Sequence, residues 1–238
     1  MSQPQGIVKG DSLQEKISSV GAIVGATLII LGMIWVVAAG LGNPMEAQKK
    51  FSEQIVMLRA ISLMGTLGPW ALMIGGAGVY RSITARGAAW ARLGFYVMIM
   101  GTTLWTVGMA IDIAVSAAIA NWLAAPAAGK ELAYLSVNAL SPTLGLGRGM
   151  FPMSLMSLWL SYAFLGIGMV RSAIYPRWLG WAGLILGTIG VFIGMIMVFT
   201  GREVIFNAFI ALQSLTIPWW LVIGIWMARK AWTVRLPI

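Results

Sequence analysis

Apolar residues dominate six long runs along the chain, near residues 20–41, 55–80, 93–123, 150–170, 178–200 and 204–227, with short polar or basic stretches between them. A helix needs about 20 residues to cross the hydrocarbon core of a bilayer. Backbone exposed to lipid must satisfy its own hydrogen bonds, so such runs are helices unless they close into a barrel. A barrel strand alternates in polarity, and these runs do not. The pattern predicts an all-α polytopic membrane protein with six transmembrane helices. It divides into a polar N-terminal segment (1–19), a membrane domain (20–229) and a C-terminal tail (230–238). The first run is too long for the apolar part of a signal peptide and reads as a true span.

Composition agrees and removes other classes. Of 238 residues 59% are hydrophobic and 10% charged, where a soluble domain carries about 25% charged residues. Soluble enzymes, disordered chains and disulfide scaffolds are excluded. Histidine and cysteine are both absent, so no metal, haem or Fe–S cluster can be held by His or Cys. A nucleophile–base pair built on histidine is equally excluded, and the chain is expected to have no enzymatic activity of its own. No cofactor is specified.

The net charge of +9 would suggest nucleic acid in a soluble protein. Here the basic residues stand singly at the ends of apolar runs, as anchors facing anionic lipid do, so the bilayer is the expected partner. Lys9, Lys16, Arg81, Arg86, Arg92, Arg171, Arg177, Arg229, Lys230 and Arg235 fall on one side, and Lys49, Lys50, Lys130, Arg148 and Arg202 on the other. The positive-inside rule then places both termini in the cytoplasm. Trp90, Trp122, Trp178, Trp181 and Trp232 lie near the proposed membrane faces.

Two outer segments are more than plain connections. Residues 46–55 read as a polar helical extension of the second span. Residues 124–149 hold a stretch with Leu132, Leu135 and Leu140 between Pro126 and Pro142, suited to lie flat on the outer interface.

Glycine is spaced for helix contact. Gly183, Gly187, Gly190 and Gly194 form one face of the fifth span, Gly94, Gly101 and Gly108 recur every seven residues in the third, and Gly21 and Gly25 make a GxxxG in the first. Small residues let helices approach closely in lipid, and these stripes are expected to serve the internal bundle ahead of another chain. There is also an internal echo. Gly78-Val79-Tyr80-Arg81-Ser82 matches Gly168-Met169-Val170-Arg171-Ser172, and Gly94 with Gly101-Thr102 matches Gly180 with Gly187-Thr188. Either helix pairs two–three and four–five are parallel repeats, or glycines and arginine anchors recur by composition.

Ionisable groups inside spans are where chemistry would sit. Asp112 lies several turns inside the third span and Arg59 about a turn inside the second, both toward the outer side. A lone charge there costs about 3 kcal/mol or more, so the two are expected to face each other, as a staple between helices or as a proton or cation site. Pro69 and Pro218 interrupt the second and sixth spans and free the carbonyls of Gly65 and Ser214. Asn207, Gln213 and Ser214, with Thr216, make the sixth span the most polar. A cavity between helices two, three and six could use these groups with Asp112. The plainer alternative is a kinked helix whose freed carbonyl a neighbouring hydroxyl meets.

Arg59-Ala60-Ile61-Ser62, the basic second loop, and Ser172-Ala173-Ile174-Tyr175-Pro176-Arg177-Trp178-Leu179-Gly180-Trp181 resemble an uncharacterised bacterial family of six-span membrane proteins. In that family an aromatic-Pro-x-x-Leu-Gly turn opens the fifth span. The resemblance runs from about the second span onward. It implies the architecture and a bacterial inner membrane, and adds no catalytic residues. The function expected is that of an accessory or scaffolding subunit of a larger membrane complex, associating with other membrane subunits or with itself. The alternatives are a small carrier or channel using Asp112 and Arg59, or a binder of quinone, carotenoid or a porphyrin-type pigment.

Overall fold

The computed structural model describes residues 10–38, 55–140 and 146–233, and every regular element among them is helical. The helices are α1 (Gly10–Ala38), α2 (Ile55–Ser82), α3 (Ala88–Ala124), a short α4 (Lys130–Leu140), α5 (Leu146–Val170), α6 (Arg177–Thr200) and α7 (Arg202–Thr233). Two 3-10 turns, Ala85–Gly87 and Ala127–Gly129, precede α3 and α4. Proline and glycine account for several of the ends. Pro126 forces Ala125 to an extended ψ of 138° and stops α3. Pro176 caps the start of α6, and Gly201, at φ 87°, closes its end by donating its N–H to Met197 O.

Six of the helices are long and apolar enough to cross a membrane: Leu13–Val36, Ile55–Ser82, Ala88–Ala124, Gly149–Val170, Arg177–Thr200 and Asn207–Trp232. The chain is an integral, multi-pass membrane protein by this criterion. Each span packs on its neighbours in sequence, and α7 returns to α1, so the six form a closed ring. The centre of the ring is filled by side chains. Trp159, Trp220, Met98, Leu165 and Met169 are fully buried. Aromatic rings bridge α5 to α7: Tyr162 lies 5.7 Å from both Trp219 and Trp220, and Trp159 lies 5.9 Å from Phe209.

Glycines set how closely the spans approach α5. A Cβ added at Gly94 or Gly101 would press on Leu165 or Leu158, and one at Gly187 would strike the backbone of Ala163 and Trp159. Gly190 faces the Trp159 ring and Gly194 faces Met156. Gly183 gives room to Trp219, whose Nε1 donates to Leu179 O at 2.8 Å. Gly21 and Gly25 lie against α2 at Ala71 and Leu72. The small-residue stripes therefore face inward. Gly108 is the exception: a Cβ there would meet nothing within 4 Å.

The ends of the first and last spans and the long outer loop add detail to the pattern of apolar runs. The polar N-terminal stretch is already helical from Gly10, because Ser18 and Ser19 are buried, with Gly78 of α2 opposite Ser18. The last helix runs to Thr233, past the predicted end of the sixth span. A helix does form in the long outer loop, but the residue it buries is Val137, at 1% exposed, against Ile111, Val115 and Ile119 of α3. Leu132 and Leu135 remain 73% and 58% exposed. The proposed extension at 46–55 lies outside the described residues except for Ile55, where α2 begins.

The internal echo holds locally and fails in packing. Ser82 Oγ donates to Val79 O and Ser172 Oγ to Met169 O, each three residues back, and Val79 and Met169 are both fully buried. The following glycines are not equivalent. Gly94 and Gly101 face the helix after them, whereas Gly180 and Gly187 face the helix before them. The two glycine pairs clasp α5 from opposite flanks, so the echo does not extend to equivalent packing partners.

Candidate functional site

The interface of α2 and α3 gathers most of the polar side-chain contacts between spans. Proline at position 69 has no N–H to give Gly65 O, and Trp105 Nε1 of α3 donates to that oxygen at 2.7 Å. One turn away Trp70 Nε1 donates to Thr106 Oγ1 at 2.8 Å. Toward the start of α2, Arg59 Nε donates to Ser116 Oγ at 3.1 Å. Ser116 in turn gives its proton to Ile113 O. The carbonyl freed by Pro69 is thus met by an indole rather than by a hydroxyl.

Asp112 is half-buried and stands one turn before Ser116 on α3, so the Arg59 guanidinium and the Asp112 carboxyl belong to the same level of the interface. That level lies far along both helices from their basic ends. Helix α3 has 37 residues, about 55 Å at 1.5 Å per residue, against a hydrocarbon core of about 30 Å. Arg92 anchors one end, and Asp112 lies about 30 Å beyond it along the axis. The packing register agrees: Gly94 meets Leu165 and Gly101 meets Leu158. Continued, it sets Asp112 opposite the first turn of α5 (Leu146–Val170). Arg59, about 33 Å from Arg81 along α2, falls at the same height. At this height α4 covers α3, with Val137 packed on Ile111.

The polar residues of the sixth span do not converge on them. Asn207 and Ser214 are exposed and Gln213 is half-buried. Ser214 Oγ donates to Ile210 O, and Thr216 Oγ1 bonds Gln213 O, both within α7. Where helices two, three and six meet, the space is taken up by Met98 and the Trp220 ring against Gly76. Among the described residues no three His, Cys, Asp or Glu side chains gather as a metal site would require.

Trp105, Trp70 and Ser116 went unrecognised as site residues. The signal was available for the tryptophans, since an indole N–H inside a membrane needs an acceptor. It named no partner.

Compared with protein-family models, with curated proteins and with solved structures, the chain matches none. The resemblance to a six-span bacterial family therefore rests on its short motifs alone.

Proposed function

We propose that the protein is a non-enzymatic accessory subunit of a larger membrane complex, held in a bacterial inner membrane with both termini in the cytoplasm. The observation that carries this is the filled interior. Aromatic side chains from α5 and α7 occupy the middle of the ring, and a transport path along the ring axis would have to displace them. What the chain presents instead is a wide apolar perimeter with exposed Trp35, Trp70, Trp181 and Phe199, on which lipid or another subunit can seat. The orientation rests on the uneven division of Lys and Arg between the two sides.

The deciding experiment is a native mass of the complex taken from its own membrane in mild detergent, with an absorbance spectrum. A stoichiometric second polypeptide is expected. A monodisperse, single-chain particle would overturn the proposal, and a visible absorbance band would move the assignment to an apolar-cofactor binder.

The placement of Arg59 on Ser116, one turn from Asp112 on α3, supports a second reading, a small carrier. Its test is ion or solute flux in proteoliposomes. Flux abolished in Asp112→Asn, with the fold retained, establishes the carrier; no flux in the unaltered chain removes it.

A further inference from the structure

At the end of the bundle where Arg81, Arg171 and Arg177 stand exposed, a crevice opens between α1, α2, α7 and the loop joining α5 to α6. Its floor is made of hydroxyls. Tyr175 OH and Ser82 Oγ are 2.9 Å apart, and Ser82 Oγ gives its own proton to Val79 O at 2.8 Å. Tyr175 is then the donor of the pair, and its oxygen keeps lone pairs for a further donor. Glu15 lines the crevice from α1 and Lys230 lines it from α7. Glu15 sets an exposed negative charge at an end that also carries Arg81, Arg171 and Arg177. Beside Lys230 the wall is apolar, formed by Trp226 and Met227. Trp226 is 40% exposed.

A cation, an anion and a lone-pair acceptor at a membrane face match a zwitterion. We propose that this crevice binds the headgroup of a phospholipid carrying a primary ammonium, of the phosphatidylethanolamine type. The ammonium lies against the Glu15 carboxylate and the Tyr175 oxygen, the phosphate against the Lys230 ammonium, and an acyl chain along Trp226 and Met227. Simple attraction of acidic lipid to a basic face would not need Glu15, which repels it. A quaternary choline headgroup has no N–H to give Glu15 or Tyr175 and binds more weakly on the same ground. The apolar wall favours a lipid over a free phosphate ester.

The test counts the lipid that the full chain keeps after gentle extraction, by native mass. The vesicles contain phosphatidylglycerol with phosphatidylethanolamine, or phosphatidylglycerol with phosphatidylcholine. Retention of the ethanolamine lipid about five-fold above the choline lipid is expected, the size of one charge-assisted contact at a partly exposed site. Glu15→Gln should erase that preference and leave phosphatidylglycerol retention equal or raised, since a repelling charge is gone, whereas Lys230→Gln should lower retention of both. Equal retention of ethanolamine and choline lipids, or an unaltered preference in Glu15→Gln, would overturn the proposal. So would preferential retention of phosphatidylglycerol, which marks plain charge attraction. Soluble glycerophosphoethanolamine competing as strongly as the lipid would overturn the lipid assignment. If a variant fails to fold, the comparison of lipids on the unaltered chain still decides.

Discussion

Trp105 of α3 caps the carbonyl that Pro69 strips from Gly65 of α2, with 2.7 Å between Nε1 and O. An unpaired carbonyl inside a membrane protein is costly, and here the cost is met by a residue 40 positions along the chain. The bond therefore ties the two spans as well as repairing one. Trp105→Phe keeps most of the ring contact with Phe151 but removes the donor. It should destabilise the protein by about 1 kcal/mol, the usual range for a hydrogen bond between spans. Pro69→Ala restores the N–H that Gly65 O lacks. In that background Trp105→Phe should cost much less, and a double-mutant cycle of thermal unfolding in detergent measures the coupling.

The glycines of the third and fifth spans should differ in sign on substitution. At Gly187 a Cβ would run into the backbone of Ala163 and Trp159, which cannot step aside as a flexible side chain can. Gly187→Ala should therefore destabilise by about 1–3 kcal/mol through overpacking. At Gly108 the same change meets open space and removes a poor helix former, so it should be neutral or stabilising by up to about 1 kcal/mol. Unfolding midpoints of the two variants in one detergent check this; a loss at both positions would mean that spacing, and not contact, governs the stripes.

The six spans were legible because bilayer thickness dictates the length of apolar run that a helix must show. What the sequence hid depended on partners far along the chain. Pro69 announced a freed carbonyl, yet nothing local pointed to Trp105 as its donor. Ser18 and Ser19 read as part of a polar tail, although burial against α2 makes them part of a helix. Leu132 and Leu135 outweighed Val137 by hydrophobicity, while the docking angle of α4 decided which face was covered. The heights of Asp112 and Arg59 relative to the other spans were likewise hidden, because they follow from the register of α3 against α5 and from the bond of Arg59 to Ser116.

Tyr175 offers a pH signature. Burial pushes its phenol up to about 12 from an ordinary 10.0, and the Glu15 carboxylate adds to this. The folded state therefore holds a proton that the unfolded state has lost between these values. Stability from this group is complete below about pH 10 and declines as pH rises toward about 12. Tyr175→Phe should flatten that part of the profile while lowering stability below pH 10, because the bond to Ser82 is lost. Unfolding midpoints of the two proteins, taken from about pH 8 to about pH 12, check the shape.

Topology can be tested residue by residue because the chain contains no cysteine, so a single introduced thiol is the only one that reacts. Thr84 and Ala173 are exposed in the loops beside Arg81, Arg86, Arg171 and Arg177, and Ala127 is exposed in the turn ahead of α4. These are small or polar surface positions whose replacement should shift stability by no more than about 0.5 kcal/mol. If the basic loops face the cytoplasm, Thr84→Cys and Ala173→Cys should resist a membrane-impermeant maleimide in intact spheroplasts and react once the membrane is opened. Ala127→Cys should react in both conditions. The reversed pattern would invert the molecule, placing the ethanolamine-lipid crevice in the outer leaflet and the Arg59–Asp112 level on the cytoplasmic side. Labelling of all three from outside would break the antiparallel order of α2, α3, α5 and α6 itself, since that order sets the two basic loops on one face and the α3–α4 turn on the other.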